Sequence, residues 1–336
     1  MAEYAASPEV VRIAIVFGVI MSMLFYERVQ LTTGGAIVPA YLSLAVFRPL
    51  AIVVTIGVGY LTYLLVTVLL SKRKILYGRR KFEAEVMVGL TLIMGATYAA
   101  HLFDQVDPMF LGLTGVGFLV PGIIAHDMAR QKPGRTIFAV AITTAVLAVF
   151  VQLITALFSI LPGKNTSPVQ LASVLGYPRE FLVVAVGLSV LTGMLIFART
   201  GLRSGGFITG AYLALVSPRW ADLAFTVGVA LATWFVVVRV LMPRLLLFGR
   251  RKVSTMILVG SIVGWTTEIV IQQASHGDYT PWRGLTVATL MVPALIANDA
   301  QRQGWERTVW GTALAGLGVY AAVNFIAVST HMGAVL

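Results

Sequence analysis

LSKRKILYGRRKF (Leu70–Phe82) and RLLLFGRRK (Arg244–Lys252) read as one connection written twice. Gly78-Arg79-Arg80-Lys81 stands 171 positions before Gly249-Arg250-Arg251-Lys252. The same offset carries Gly34-Gly35 onto Gly205-Gly206 and Ala40-Tyr41-Leu42 onto Ala211-Tyr212-Leu213. Further along, an offset of 172 carries Val120-Pro121 onto Val292-Pro293, and Asp127, Arg130, Gln131, Arg135 and Thr136 onto Asp299, Arg302, Gln303, Arg307 and Thr308. One inserted residue accounts for the change. Ordered matches through most of both halves mark a tandem duplication, and repeats of this kind commonly place a site at their interface.

The sequence around these connections is apolar. Of 336 residues 58% are hydrophobic and only 12% charged, whereas about a quarter of a soluble domain is charged. Apolar runs fall at about 10–26, 36–47, 50–70, 84–103, 109–125 and 136–161, and again at about 181–198, 206–217, 221–242, 253–272, 285–297 and 308–329. Several approach the ~20 residues that cross a hydrocarbon core, and they lack a polar face. The fold class expected is all-α integral membrane, with two parallel tandem repeats of about six helical segments each, some short enough to be re-entrant. The first membrane repeat is 1–161 and the second 181–336; the Pro- and Gly-rich stretch 162–180 is an extramembrane linker. Glu3 and Glu9 precede the first run where a cleavable signal would carry cations, so this run reads as a permanent span. Cysteine is absent, which excludes disulfides and thiolate metal sites. His101, His126, His276 and His331 show no ligand spacing, so no metal site is expected.

Topology follows from where the cations stand. Six connections (Glu27–Thr33, Ser71–Phe82, His126–Arg135, Arg199–Arg203, Arg239–Lys252 and Arg302–Arg307) hold 19 of the 25 Lys and Arg. If every run crosses, these are alternate connections, and the positive-inside rule puts them in the cytoplasm with both termini outside. The acidic turns at Asp104/Asp107 and Asp278 then lie outside. Six crossings per unit make the repeats parallel. Re-entry of 36–47 and 206–217, or of 109–125 and 285–297, lowers the crossing count.

Three groups of residues are candidates for function. Lys72, Arg73, Lys74, Arg79, Arg80, Lys81, Arg250, Arg251 and Lys252 form either an anionic-lipid contact or a surface for a cytoplasmic partner or polyanion. No folded nucleic-acid-binding domain accompanies them. The short runs Ile37–Leu42 and Val120–Asp127, with partners Ile208–Leu213 and Val292–Asp299, carry Pro or Gly inside apolar sequence. A break at Pro39, Pro121 or Pro293 frees carbonyls that protein or a water-lined cavity must satisfy, so these runs point either to a substrate path or to a packed kink. Glu268 is the deepest acid, and an intramembrane carboxylate marks function by default; its counterpart is Thr97. Glu27, His126, Asp127 and Asp299 sit at span ends, where a structural role fits. No phosphate loop and no nucleophile elbow is present, so the chain has no means of using ATP itself and no catalytic residue is assigned.

The run from Glu27 through Gly35, Pro39, Tyr41 and Leu42, then LSKRKILYGRRKF, then VPGIIAHD with Gln131, resembles the CapC/PgsC membrane subunit of bacterial poly-γ-glutamate capsule synthesis. Tyr77–Lys81 is the most specific string. The second half, through Phe248–Lys252 and Ile296–Gly304, looks like a diverged copy in which Glu27, Pro39 and Gly122 become Ala198, Gly210 and Ala294. The resemblance implies a multi-pass protein of the bacterial cell (inner) membrane that needs no cofactor. It also implies two partners: a cytoplasmic ATP-dependent amide ligase of the CapB/PgsB type and an export subunit of the CapA/PgsA type.

The leading expectation is a non-catalytic subunit that holds the ligase at a basic cytoplasmic face and helps pass poly-γ-glutamate outward. In it Glu27, Gly35, Pro39, Tyr41, Pro121, Pro293, Asp127, Asp299 and Glu268 line or gate the path. The alternative is a secondary transporter of a small anionic solute with a midplane site near Glu268. A third reading makes the chain an anchor only.

Overall fold

A computed structural model describes residues 8–73, 75–103, 116–160, 179–276, 279–281 and 286–329. Lys74, the turns at Asp104/Asp107 and Asp278, and the linker up to residue 178 lie outside the described residues. Arg179 and Glu180, placed in the linker above, instead open a helix. The chain divides into two compact units, Met1–Ser167 and Pro168–Leu336.

Among the described residues each unit is six helices and no strand. The first holds α1 (Pro8–Val29), α2 (Val38–Leu44), α3 (Pro49–Tyr63), α4 (Gly78–Phe103), α5 (Val120–Gln131) and α6 (Pro133–Ile160). The second holds α7 (Arg179–Thr200), α8 (Thr209–Val216), α9 (Trp220–Trp234), α10 (Gly249–Ala274), α11 (Thr286–Gln303) and α12 (Trp305–Ser329). Helices α3 and α9 each run on through a π-helical turn, Leu64–Leu70 and Phe235–Leu241. Among the described residues eight helices are long and apolar enough to cross a membrane: α1, α3, α4, α6, α7, α9, α10 and α12. With its backbone hydrogen bonds closed inside helices, such a chain is compatible with lipid. It is an all-α membrane protein of two tandem repeats.

Not every apolar run becomes a full crossing. Helix α2 has 7 residues and α5 has 12, lengths of about 10 and 18 Å. Within the first unit, Thr32 bonds Gln131, and Glu85 bonds His126. These contacts bring the end of α1, the start of α4 and the end of α5 to one end of the unit. Arg73, closing the extension of α3, is five residues before α4 and joins them. Helices α1 and α3 therefore both run toward this basic end, and the chain returns between them through the segment after Val29 and the half-length α2. Helix α5 runs back to the same end, and α6 leaves it. The second unit repeats the arrangement: Arg203 bonds Gln303 and Lys252 bonds Gln301.

The prolines do not act as the sequence led one to expect. Pro39 and Pro121 occupy the first turns of α2 and α5, and so begin these helices without breaking them. The N–H that proline lacks has no intrahelical acceptor there, and its fixed φ suits the first turn. Pro293 does lie inside a helix, α11, which starts six residues earlier than α5 on the repeat alignment. The matching prolines thus have different local roles in the two units.

Small residues set how closely the helices approach, as in other membrane bundles. A Cβ on Gly89 of α4 would lie 2.7 Å from the backbone nitrogen of Gly122, and one on Gly122 would lie 2.6 Å from the Cα of Val86. The interiors beside these crossings are apolar: Val38, Leu42, Val116, Val120, Ile124 and Met128 in the first unit, and Phe225, Val229, Val292 and Ile296 in the second.

Candidate functional site

The feature both units share is a clamp at the basic end. In the first, Gln131 Oε1 accepts from the Thr32 N–H at 2.7 Å, while Nε2 donates to the Thr32 carbonyl at 2.6 Å and to Thr136 Oγ1 at 3.0 Å. Asp127 Oδ2 accepts from the Gly35 N–H at 3.1 Å. In the second, Gln303 makes the same three bonds with Arg203 and Thr308 at 2.9, 2.9 and 3.1 Å, and Asp299 accepts from the Gly205 N–H at 3.1 Å. The clamped loops carry Gly34-Gly35 and Gly205-Gly206, all with φ between +75 and +100°, a region where a Cβ is strained. Asp127, Asp299 and Gly35 are therefore parts of one device that fixes the turn between the first span and the short helix. Tyr41 packs beside the Val38–Leu42–Val120 cluster. Glu27 is half-buried on the last turn of α1, where its carbonyl accepts from Gln30.

The eight described candidate cations separate once folded. Lys72, Arg73, Arg80 and Arg251 are exposed, while Arg79 and Arg250 are half-buried. Arg79 Nε bonds Glu83 at 2.6 Å and Lys81 stands 3.9 Å from Glu85. Lys252 is buried and donates to Gln301. The middle arginine of each Gly-Arg-Arg-Lys string thus faces out. Beside it the connection also exposes apolar side chains, Ile75 and Tyr77 in the first unit and Leu246 and Phe248 in the second, at equivalent positions. A glycine with positive φ (Gly78, +56°; Gly249, +53°) starts the next helix in both.

The interiors behind the two strings differ. Glu83 and Glu85 are buried on α4. Glu85 Oε2 bonds His126 Nδ1 at 2.7 Å, and Thr67, in the π-helical turn, donates to Oε1 at 3.3 Å. Phe82 packs its ring 4.6 Å from that of His126. On the repeat alignment these residues become Val238, Val253, Ser254, Met256 and Asn298. The sequence reading passed over Glu83, Glu85 and Thr67; comparing the two copies position by position is the signal that finds them. The second unit has its own buried acids toward the opposite end, Glu268 on α10 and Asp222 on α9. Asp222 pairs with Arg219 at 3.1 Å and accepts from the Tyr279 hydroxyl. Burial, and then that hydrogen bond, hold the Tyr279 phenol above its ordinary range.

Fold and site together define a duplicated, multi-pass, all-α membrane protein whose units each present a basic, clamped end. A family model described as "Capsule biosynthesis CapC" matches residues 17–137 and again 188–309. The chain belongs to this family, and carries its unit twice. The "Capsule biosynthesis protein CapC" of Bacillus anthracis is 36% identical over 146 residues, 93% of that protein and 41% of this chain. The "PGA biosynthesis protein CapC" of Bacillus subtilis (strain 168) is 38% identical over 125 residues, 80% of that protein and 37% of this chain. No solved structure matches.

Proposed function

We propose that the chain is the membrane subunit of a poly-γ-glutamate capsule synthesis and export complex, with no catalytic step of its own. It lies in the bacterial cell membrane with its basic ends in the cytoplasm, where they hold an ATP-dependent amide ligase and gather its product. An export subunit completes the complex. What supports this reading, beyond the family, is the repeated surface: an outward arginine (Arg80, Arg251) beside two exposed apolar side chains, once in each unit. Cations alone fit any anionic leaflet, but a basic patch with a fixed apolar neighbour fits a protein partner and a polyanion together. The polymer has about one negative charge per residue at neutral pH, because its free α-carboxyl titrates in the acid range.

Charge reversal at both outward positions, Arg80→Glu with Arg251→Glu, should cut cell-surface polymer about tenfold or more, the loss of several desolvated charge contacts of ~1 kcal/mol each. The membrane level of the chain should be unchanged, because neither head is inside a unit. Co-purification with the ligase is measured in the same cells. Unchanged output together with unchanged recruitment refutes the role.

A further inference from the structure

The first unit contains a polar site that its own fold does not require. Glu85 is fully buried, and a buried carboxylate costs several kcal/mol unless it is paired. Here it is paired with His126 Nδ1 at 2.7 Å and Thr67 Oγ1 at 3.3 Å, with Lys81 Nζ 3.9 Å away. The second unit closes the same place without a carboxylate, and Lys252, the equivalent of Lys81, is buried there and donates to Gln301. Val238 and Met256 stand there in an apolar cluster with Val237, Leu247 and Ala297, and Asn298 replaces the histidine. Duplication thus supplies an internal control: the same helices pack with methionine and valine where the first unit has the carboxylate and the threonine, and apolar replacements of this kind are often as stable as a buried ion pair or more so. Glu85 and His126 are then held in the first unit for something other than folding.

The geometry points to what that is. A carboxylate on Nδ1 fixes the ring's tautomer and orientation. The other ring nitrogen, Nε2, makes no hydrogen bond among the described residues, and the side chain is 25% exposed. The charged groups around the ring are few. Helix α4 supplies Glu85, Lys81 and the Arg79–Glu83 pair. The π-helical turn supplies Thr67 and no charge. Helix α5, which carries the ring, also bears Asp127, turned to Gly35, and Arg130, and the first turn of α6 bears Arg135. Protonated, the ring offers Nε2–H to an anion; neutral, it offers only a lone pair.

We infer that Glu85 and His126 form a protonation-dependent binding site for a carboxylate-bearing ligand, present in the first unit and absent from the second. The inference rests on the reading of the basic end only for which carboxylate it meets, a γ-linked glutamyl chain. The two copies then divide the work: both dock, and one senses or grips the anion.

The test uses the full chain in nanodiscs of zwitterionic lipid. Two probes are titrated at about pH 6 and about pH 8, either side of the ordinary imidazole range: γ-linked tri-glutamate, and tricarballylate as an unrelated carboxylate. The wild type should bind tri-glutamate at least about fivefold tighter at the lower pH, a change on the scale of one charge-assisted hydrogen bond. His126→Asn, and the triple change Thr67→Val, Glu85→Met, His126→Asn that installs the second unit's residues, should abolish that dependence. The triple variant should melt at or above the wild-type temperature. Tricarballylate showing this pattern while tri-glutamate does not keeps the site and removes the polymer reading. Binding that His126→Asn leaves unchanged for both probes overturns the site, and so does a triple variant that melts well below wild type, since the set would then be structural.

Discussion

Gly122→Val should destabilise the first unit by about 3 kcal/mol, at the upper end of what overpacking costs. Gly122 is the third residue of α5, in the first turn that Pro121 helps to set, and faces α4. A Cβ there would come within 2.6 Å of the Val86 Cα and 2.9 Å of the Glu85 carbonyl oxygen. Both are backbone atoms of a continuous helix, so no rotamer change relieves the contact and the helices must separate. Separation also unseats Glu85 from His126, which lies one turn further along α5. The second unit calibrates the effect. Its equivalent position is already Ala294, accommodated because Gly260 opposite has no side chain; a Cβ on Gly260 would meet that of Ala294 at 2.8 Å. Gly260→Val should therefore be as harmful as Gly122→Val, whereas Ala294→Gly should change the melt little. Thermal melting of the purified chain in detergent, followed by monodispersity, reads all three. A Gly122→Val protein that melts with the wild type would mean that α4 and α5 do not cross at this point.

Gln131→Leu should cost about 2–4 kcal/mol, because it leaves two polar groups of Thr32 without partners, each at roughly 1–3 kcal/mol. The glutamine amide matches the Thr32 peptide from both sides, at 2.7 and 2.6 Å, and no apolar side chain of similar volume replaces either bond. The loss should be local before it is global. Residues 30–37 hold no regular helix, and the clamp ties them to α5. Hydrogen exchange of the 30–37 amides should accelerate by about a hundredfold, the rate equivalent of a little under 3 kcal/mol. Gln303→Leu should reproduce the effect at 201–208, since Arg203 has Thr32's place. Unchanged protection at Thr32 in the Gln131→Leu protein would show that other contacts hold the turn.

Much of the fold was legible because lipid imposes one-dimensional rules. A segment that crosses must be long, apolar and helical, so the composition and spacing of residues 10–329 announce the spans without tertiary information. The duplication was legible for a different reason: Gly78–Lys81 and Gly249–Lys252 kept their letters. The candidate site was legible only in outline. Asp127 and Asp299 stood out as repeated acids at span ends, but their partners Gly35 and Gly205 are more than ninety positions away. Side-chain pairing also hid the nature of the basic string. Arg79, Lys81 and Lys252 read as cytoplasmic cations beside Arg80, yet Arg79 and Lys81 turn to Glu83 and Glu85, since side chains four apart on a helix meet and neighbours diverge, and Lys252 turns to Gln301, 49 positions away.

By itself, then, the sequence determined the solvent of this protein, its helical class, its two copies and the connections in which its cations gather, all of which depend on composition and periodicity. Only the tertiary structure decided that Pro39 and Pro121 open helices, that Asp127 and Gln131 clamp a loop, and that Glu85 meets His126 across 41 positions while Met256 fills the same place with apolar packing. The physical reason is that burial and pairing belong to positions in space. Two copies with the same hydropathy can close one site around a carboxylate–histidine pair and the other around a methionine.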